Sequence, residues 1–224
     1  MAQQTVLISG ITGNLGKAVA QYFSGKSWQI TGTSHKETAP DNFDTVVVDL
    51  TDEGAAEKYV THAVHKFQSI DVAVLTVGGF AMGNLANTNI RDLEKLLKLN
   101  FETAYNLARP LWQHMKNHKK GKIFFIGSGQ GLNTQKGKDV VAYSLSKSLL
   151  FQLANIINAE KAETGVEAFV VVPSVIDTVQ NREAMPDADF SQWQKPEDIA
   201  GIIGRYTGGQ TSEKEILIVK DELS

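Results

Sequence analysis

The sequence predicts an α/β protein, a doubly wound, seven-stranded and mostly parallel sheet with helices on both faces. Short β-branched runs alternate with longer helical patterns along the chain, as they do when each strand is followed by a crossover helix. The run DVAVLTV is apolar almost throughout, which suits a strand covered on both faces. A glycine-rich turn, ISGITGNLG, joins the first strand run to the first helical one.

Each element can be placed in order. Thr5–Ser9 reads as the first strand and Gly13–Ser24 as its helix. Trp28–Thr33 is the second strand and Thr45–Leu50 the third. Thr51 then suits an N-cap, with acids in the first turn of the helix that follows. Asp71–Val77 is the fourth strand. A long helical stretch runs from about Asn89 to Lys116, where Pro110 is expected to kink or divide it. Gly121–Ser128 and Val166–Val172 are the fifth and sixth strands, with the helix of Tyr143 between them. Lys195–Tyr206 begins a last helix with Pro196 near its first turn, and Glu215–Lys220 is the seventh strand. No repeat, linker or low-complexity tract interrupts the pattern, so residues 1–224 are expected to form one domain.

Composition narrows the function. A chain of 224 residues, 42% of them hydrophobic, can bury a core without staples. A net charge of -3 argues against a nucleic-acid surface. With no cysteine, neither disulfides nor thiolate catalysis is available. The start, MAQQTVLISG, lacks a signal-peptide pattern, and no apolar run approaches the ~18 residues of a membrane span. KDEL at Lys220 to Leu223 is followed by Ser224 and reads as coincidence. A cytoplasmic protein without membrane or nucleic-acid partners is expected. His62 with His65, and His114 with His118, have helical neighbour spacing but no third ligand, so no metal is expected. Asp187 and Asp189 read as loop or capping residues.

Two patterns point to chemistry. Gly10, Gly13 and Gly16 lie between strand and helix, where glycine permits a tight turn and close approach to a pyrophosphate. The helix N-terminus offers N–H groups and a positive dipole to that anion. Tyr143 and Lys147 are four apart on one helix and therefore stacked. A cation there would stabilise phenolate and lower the phenol's pKa, although a surface pair has the same spacing.

The Gly10–Gly16 turn, Asn100 in LKLNFETAYNLARP, Ser128 in IFFIGSGQG and Tyr143-Ser-Leu-Ser-Lys147 come in order. Together they resemble the short-chain dehydrogenase/reductase family over essentially the whole chain. VVPSVIDT is similar to the family's segment after the sixth strand. The resemblance implies a Rossmann-type fold and hydride transfer between a nicotinamide cofactor and a small carbonyl-like substrate. Tyr143 would be the general acid/base. Lys147 would hold ribose hydroxyls and lower the Tyr143 pKa. Ser128 would bond the substrate oxygen, and Asn100 would help to hold a relay water. Cofactor contacts are implied for Gly10, Thr12, Gly13, Asn14, Leu15, Gly16, Asp49, Leu50, Gly78, Pro173, Ile176 and Thr178, besides Tyr143 and Lys147. The chain departs from the common pattern in its three-three glycine spacing, in Thr76-Val77-Gly78-Gly79 after the fourth strand, and in a longer loop between Ser128 and Tyr143.

The second strand ends in Thr33-Ser34-His35-Lys36, with hydroxyls and a lysine where an acid would bind the ribose of NAD. Ser34, His35 and Lys36 therefore favour NADP(H), while Glu37 keeps NAD(H) open. Val77–Asn84 and Ile176–Trp193 are similar to the quinonoid dihydropteridine reductase group, from which Ser128 and the second-strand end depart. The alternatives are thus a dihydropteridine or quinone reductase, and a non-catalytic dinucleotide sensor. Val179–Trp193 is expected to close over the substrate, making an aromatic-friendly slot with Phe80 and Met82. Family members usually pair through helices that here fall near Asn100–Lys116 and Tyr143–Ala159. The stripe of Leu149, Leu150, Leu153, Ile156 and Ile157 fits such pairing, so a homodimer or homotetramer is expected.

Overall fold

A computed structural model of the chain describes residues 3–35, 43–208 and 215–219. The first half runs β1 (Thr5–Ser9), α1 (Asn14–Ser24), β2 (Gln29–Ser34), β3 (Asp44–Val47), α2 (Glu53–Phe67), β4 (Val72–Leu75), α3 (Ile90–Leu97) and α4 (Thr103–Asn117). The second runs β5 (Gly121–Ile126), α5 (Gly129–Leu132), α6 (Thr134–Gly137), α7 (Val141–Ala159), α8 (Lys161–Thr164), β6 (Val166–Val172), α9 (Val179–Ala184), α10 (Pro196–Thr207) and β7 (Ile216–Ile218). The strands form one sheet in the order β3-β2-β1-β4-β5-β6-β7. Every pairing is parallel, so the sheet is uniformly rather than mostly parallel.

Successive strand residues serve opposite faces, and both faces are covered. Leu7, Ala73, Leu75, Ile123 and Phe125 pack under α2, α4 and α7. Val6, Ile8, Val72, Val74 and Phe124 pack under α1 and α10. Each such side chain except Ala73, fully buried, contributes roughly 1.5–3 kcal/mol over an exposed one. No helix among the described residues is long and apolar enough to cross a membrane.

Three local expectations change. Asp52, not Thr51, caps α2, accepting from Ala55 N at 2.9 Å. Thr51 instead donates its backbone N–H and hydroxyl to Asp49 Oδ1, at 2.9 and 2.7 Å. That turn also ends the third strand at Val47 rather than Leu50. The long helix divides at a π-helical turn, Lys98–Glu102, while Pro110 sits inside an unbroken α4. The division occurs where the Asn100 side chain bonds a neighbouring loop instead of solvent, and π-turns of this kind gather at functional sites.

Candidate active site

Beyond β3 the chain crosses to the other side of β1 and continues as β4, so the strand order reverses between β1 and β4. Ligands of open α/β sheets bind beyond the strand ends at such a point. Here the ends are tied together. Ser9 Oγ accepts from Thr76 N at 2.9 Å, and Thr76 Oγ1 donates to Ser9 O at 2.6 Å. Gly10 follows at φ 64°, in the left-handed region that L side chains avoid. A Cβ there would also lie 3.1 Å from Thr76 Oγ1 and Val77 Cγ2.

A crevice of about 450 Å³ opens at this point, lined by Gly10, Thr12, Gly13, Ser34, His35, Asp49, Leu50 and Gly78 among others. Thr12 Oγ1 and Ser34 Oγ are 3.3 Å apart. The two bonds from Thr51, hydroxyl and backbone, hold the Asp49 carboxyl below its usual range. The bare backbone of Gly10 and Gly13, at the foot of α1, fits a pyrophosphate. Lys36 lies outside the described residues.

Asn100, Ser128, Tyr143 and Lys147 converge from three elements. Asn100 is fully buried in the π turn. Its Oδ1 accepts from Gly79 N at 2.7 Å, and its Nδ2 donates to Gly79 O at 3.1 Å and Ser146 Oγ at 2.9 Å. A Cβ on Gly78 would lie 2.8 Å from Asn100 Oδ1 and 3.1 Å from Lys147 Nζ. The crevice floor therefore brings that amide and that amine to one spot.

Lys147 donates to Ile126 O at 2.8 Å, and burial depresses its pKa to about 8. Tyr143 carries the Phe80 ring edge-on at 5.0 Å. Burial pushes the Tyr143 phenol above its usual range, while a hydrogen bond with Ser128 acts the other way. The expected lowering by Lys147 is not the governing effect. The Lys147 amine lies 5.9 Å from the ring centre and is spent on a carbonyl, and desolvation penalises phenolate.

The far rim is formed by the segment after β6. Thr178 caps α9, accepting from Asn181 N at 3.1 Å. Arg182 grips Asp177 with two bonds, at 2.6 and 2.8 Å, and lies 4.6 Å from the Phe190 ring centre. Phe190 stacks edge-on with Trp193 at 4.7 Å. Gln194 fastens the base of the segment through Asp177 N, Val175 O and Ser174 N. Gln180 Oε1 accepts from Asn14 Nδ2 at 2.9 Å. The rim thus touches the glycine turn.

The remaining predicted contacts divide. Asn14 and Thr178 line a second groove, of about 590 Å³, between α1, α9 and α10. Leu15 and Ile176 pack with the α1 face of the core, Pro173 is buried, and Gly16 abuts the Gly10 carbonyl. Phe80 and Met82 are 59% and 71% exposed. Among the described residues no cluster of metal ligands occurs. Sequence reasoning missed Gly79, Ser146, Gln130 and Gln194. Ser146 lies inside the Tyr-Ser-Leu-Ser-Lys run, but the others carry no signal beyond proximity to a motif.

Fold and crevice together define a doubly wound α/β protein of the dinucleotide-binding class. The chain belongs to the short-chain dehydrogenase family, whose model matches residues 4–189, and is therefore an oxidoreductase by family. It is 29% identical over 212 residues to the 3-oxoacyl-[acyl-carrier-protein] reductase MabA of Mycobacterium bovis, covering 89% of this chain and 83% of that one. It is 23% identical over 205 residues to dihydropteridine reductase of Dictyostelium discoideum, covering 88% and 84%. The solved structure of ElxO with NADP bound superposes with a TM-score of 0.86 at 22% identity, covering 96% of each chain.

Proposed function

We propose that the chain is an NADP(H)-dependent reductase of a small carbonyl-like substrate, with Tyr143 as general acid. The convergence of Asn100, Ser128, Tyr143 and Lys147 beside the crevice carries this reading. A bound nicotinamide would supply or accept the hydride. Gly10, Thr12, Gly13 and Gly78 would hold its dinucleotide. Burial keeps the Tyr143 phenol protonated, as an acid must be when a carbonyl oxygen becomes an alcohol. Lys147 supplies a donor at the crevice floor, Ser128 orients the oxygen, and Asn100 fixes the Gly79 backbone beside them. Ser34 and His35 at the end of β2, and the NADP carried by ElxO, support the cofactor preference. Residues 1–224 act as one catalytic unit, with Val179–Trp193 as its cover.

Oxidation of NADPH against a panel of aldehydes, ketones, 3-oxoacyl thioesters, quinones and dihydropterins tests the reading. Turnover that depends on Tyr143 supports it. Tight cofactor binding with no turnover on any member would favour a dinucleotide sensor. Tighter binding of NADH than NADPH at fixed salt would reverse the cofactor preference. A planar ring is the favoured substrate shape within this reading, because Phe80 stands against Tyr143 with Met82 exposed nearby.

The same reading includes a homodimer or homotetramer. A groove of about 210 Å³ between α4 and α7 is lined by Tyr105, Arg109, Trp112, Leu153 and Ile156 among others. Ile156 is 65% exposed. Trp112 Nε1 and Arg109 Nε are buried without a partner among the described residues, an arrangement that costs stability unless a second surface supplies acceptors. A strictly monomeric mass by light scattering at micromolar concentration would count against either assembly.

A further inference from the structure

His114 and His118, at the carboxyl end of α4, lie outside the candidate site. Their ring centres are 4.4 Å apart, yet the two rings are held on different terms. His118 is exposed, and its Nδ1 is bonded to His114 O at 2.9 Å. A carbonyl only accepts, so His118 carries a hydrogen on Nδ1, as both its neutral and its charged form can. The end of a helix also favours a cation there. His114 is half-buried and receives a bond instead, because Ile70 N donates to its Nε2 at 3.2 Å. That bond requires a bare Nε2, hence a neutral ring with its hydrogen on Nδ1. Ile70 is 1% exposed, so its N–H is shut off from bulk water and needs this acceptor.

The residue after Ile70 ties three strands together. Asp71 N donates to Thr5 O at 3.0 Å, and Asp71 O accepts from Lys122 N at 3.0 Å. The Asp71 carboxylate accepts from Thr5 N at 3.0 Å and pairs with Lys120 at 3.0 Å. β1, β4 and β5 therefore begin at one junction, and His114 fixes its leading residue.

We propose that His114 is an acid-sensitive latch, which as neutral imidazole closes the amino-terminal end of β4 on Ile70 N and as imidazolium sets N–H against N–H and releases it. The latch stands on this geometry and does not depend on the reductase reading.

Burial, then the neighbouring His118, hold the His114 pKa below its ordinary value, while Asp71 pulls the other way. Many other charges on the elements packed against α4 are engaged elsewhere. On α2, Glu53 and Glu57 pair with Arg109 and Lys66 pairs with Asp44, which leaves Lys58, His62 and His65. Lys161 of α8 pairs with Glu167 of β6, and Lys116 of α4 itself pairs with Glu160. Lys122 of β5 donates to Tyr206 O, and Lys119 donates to the backbone carbonyl of Glu163 on α8. Lys98 and Glu102 of the π turn lie at the other end of α4. Because the unfolded chain takes up the His114 proton first, stability is lost as pH falls below about 6.5, and the loss is complete once the folded ring is charged.

Amide hydrogen exchange, read residue by residue by NMR, tests the latch. Between about pH 7 and about pH 5, protection of Ile70 N–H should fall by about tenfold or more. Protection of Val74, inside β4, should change by less than about twofold over the same range. His114→Gln offers an amide oxygen in place of Nε2 and cannot titrate, so Ile70 should stay protected throughout. His114→Leu removes the acceptor and should leave Ile70 poorly protected at either pH. His118→Gln removes the neighbouring charge and should raise the pH at which Ile70 loosens. In the unaltered protein, the His114 nitrogen shifts at about pH 7 should be those of a bare Nε2 and a protonated Nδ1. A protonated Nε2 at that pH overturns the proposal. So does an Ile70 protection that ignores pH, that falls equally in His114→Gln, or that is matched by an equal fall at Val74.

Discussion

The floor of the site and the segment proposed to cover it are built on opposite terms. On the floor, Asn100 and Lys147 are buried and bonded to backbone atoms of other elements. Over it, Val179, Met185 and Arg182 are exposed, and the bonds of the cover are largely internal or at its base. Its contact with the glycine turn is the Asn14–Gln180 bond. Buried bonds that join separate elements open only with the sheet, whereas short surface helices open locally. The chemistry proposed for the floor would thus sit where geometry is costly to change, and the access proposed for 179–193 where it is cheap.

The comparison can be broken most sharply on the floor. Tyr143→Phe removes only a hydroxyl, so kcat should fall by ~10²–10⁴-fold while NADPH Kd changes by less than about threefold. A folded variant keeping more than about a third of wild-type kcat refutes the role given to Tyr143. Gly78→Ala follows, because its Cβ would crowd Asn100 Oδ1 and Lys147 Nζ. A loss of about 10–100-fold in kcat/KM is expected from so small a displacement, read by steady-state kinetics beside a thermal melt.

The floor also carries a cost that the cover does not. Lys147 ionises at about 8 when folded, against an ordinary value near ~10.4. Between those values the unfolded chain binds the extra proton, so stability rises with pH across that window and the penalty is complete below it. Lys147→Met should therefore raise Tm at pH 7 while abolishing turnover. An unchanged or lower Tm would show that the ammonium is better solvated than its burial implies.

Smaller effects belong to the cover. Gln194→Met removes the acceptor for Ser174 N and should raise substrate KM by about three- to tenfold with kcat within about twofold. Hydrogen exchange should quicken across 179–193 and stay unchanged across 143–150. If the cover exchanges as slowly without ligands as with cofactor and substrate, it is a rigid loop and the contrast fails. Gln180→Ala, cutting the Asn14 contact alone, should alter NADPH Kd by no more than about threefold, as expected for one exposed neutral hydrogen bond.

Much of this was legible in the residues. Alternating strand and helix patterns foretold seven strands, and the glycine turn predicted between the first strand and helix lies where the strand order reverses. The motif residues Asn100, Ser128, Tyr143 and Lys147 were singled out by type and order, and the fold brings them near one another. What escaped was governed by burial and by long-range partners. The sign of the Tyr143 displacement depends on desolvation, which a four-residue spacing does not reveal. Asp52 outcompeted Thr51 as a cap because Asp49 engaged the threonine hydroxyl. Asn14 faces a groove made with α10 and α9, elements distant from it in sequence.

The π turn at Asn100 makes helix length a form of information. Residues on a regular helix advance by about 100° each, so the five residues Lys98–Glu102 set how the α4 face is rotated relative to α3. Deleting one residue there would leave a smoother rod and turn either Asn100 away from Gly79 or Leu107 and Leu111 away from the sheet. Substitutions along this rod are graded in their effect, but a change of one in its count is all or nothing.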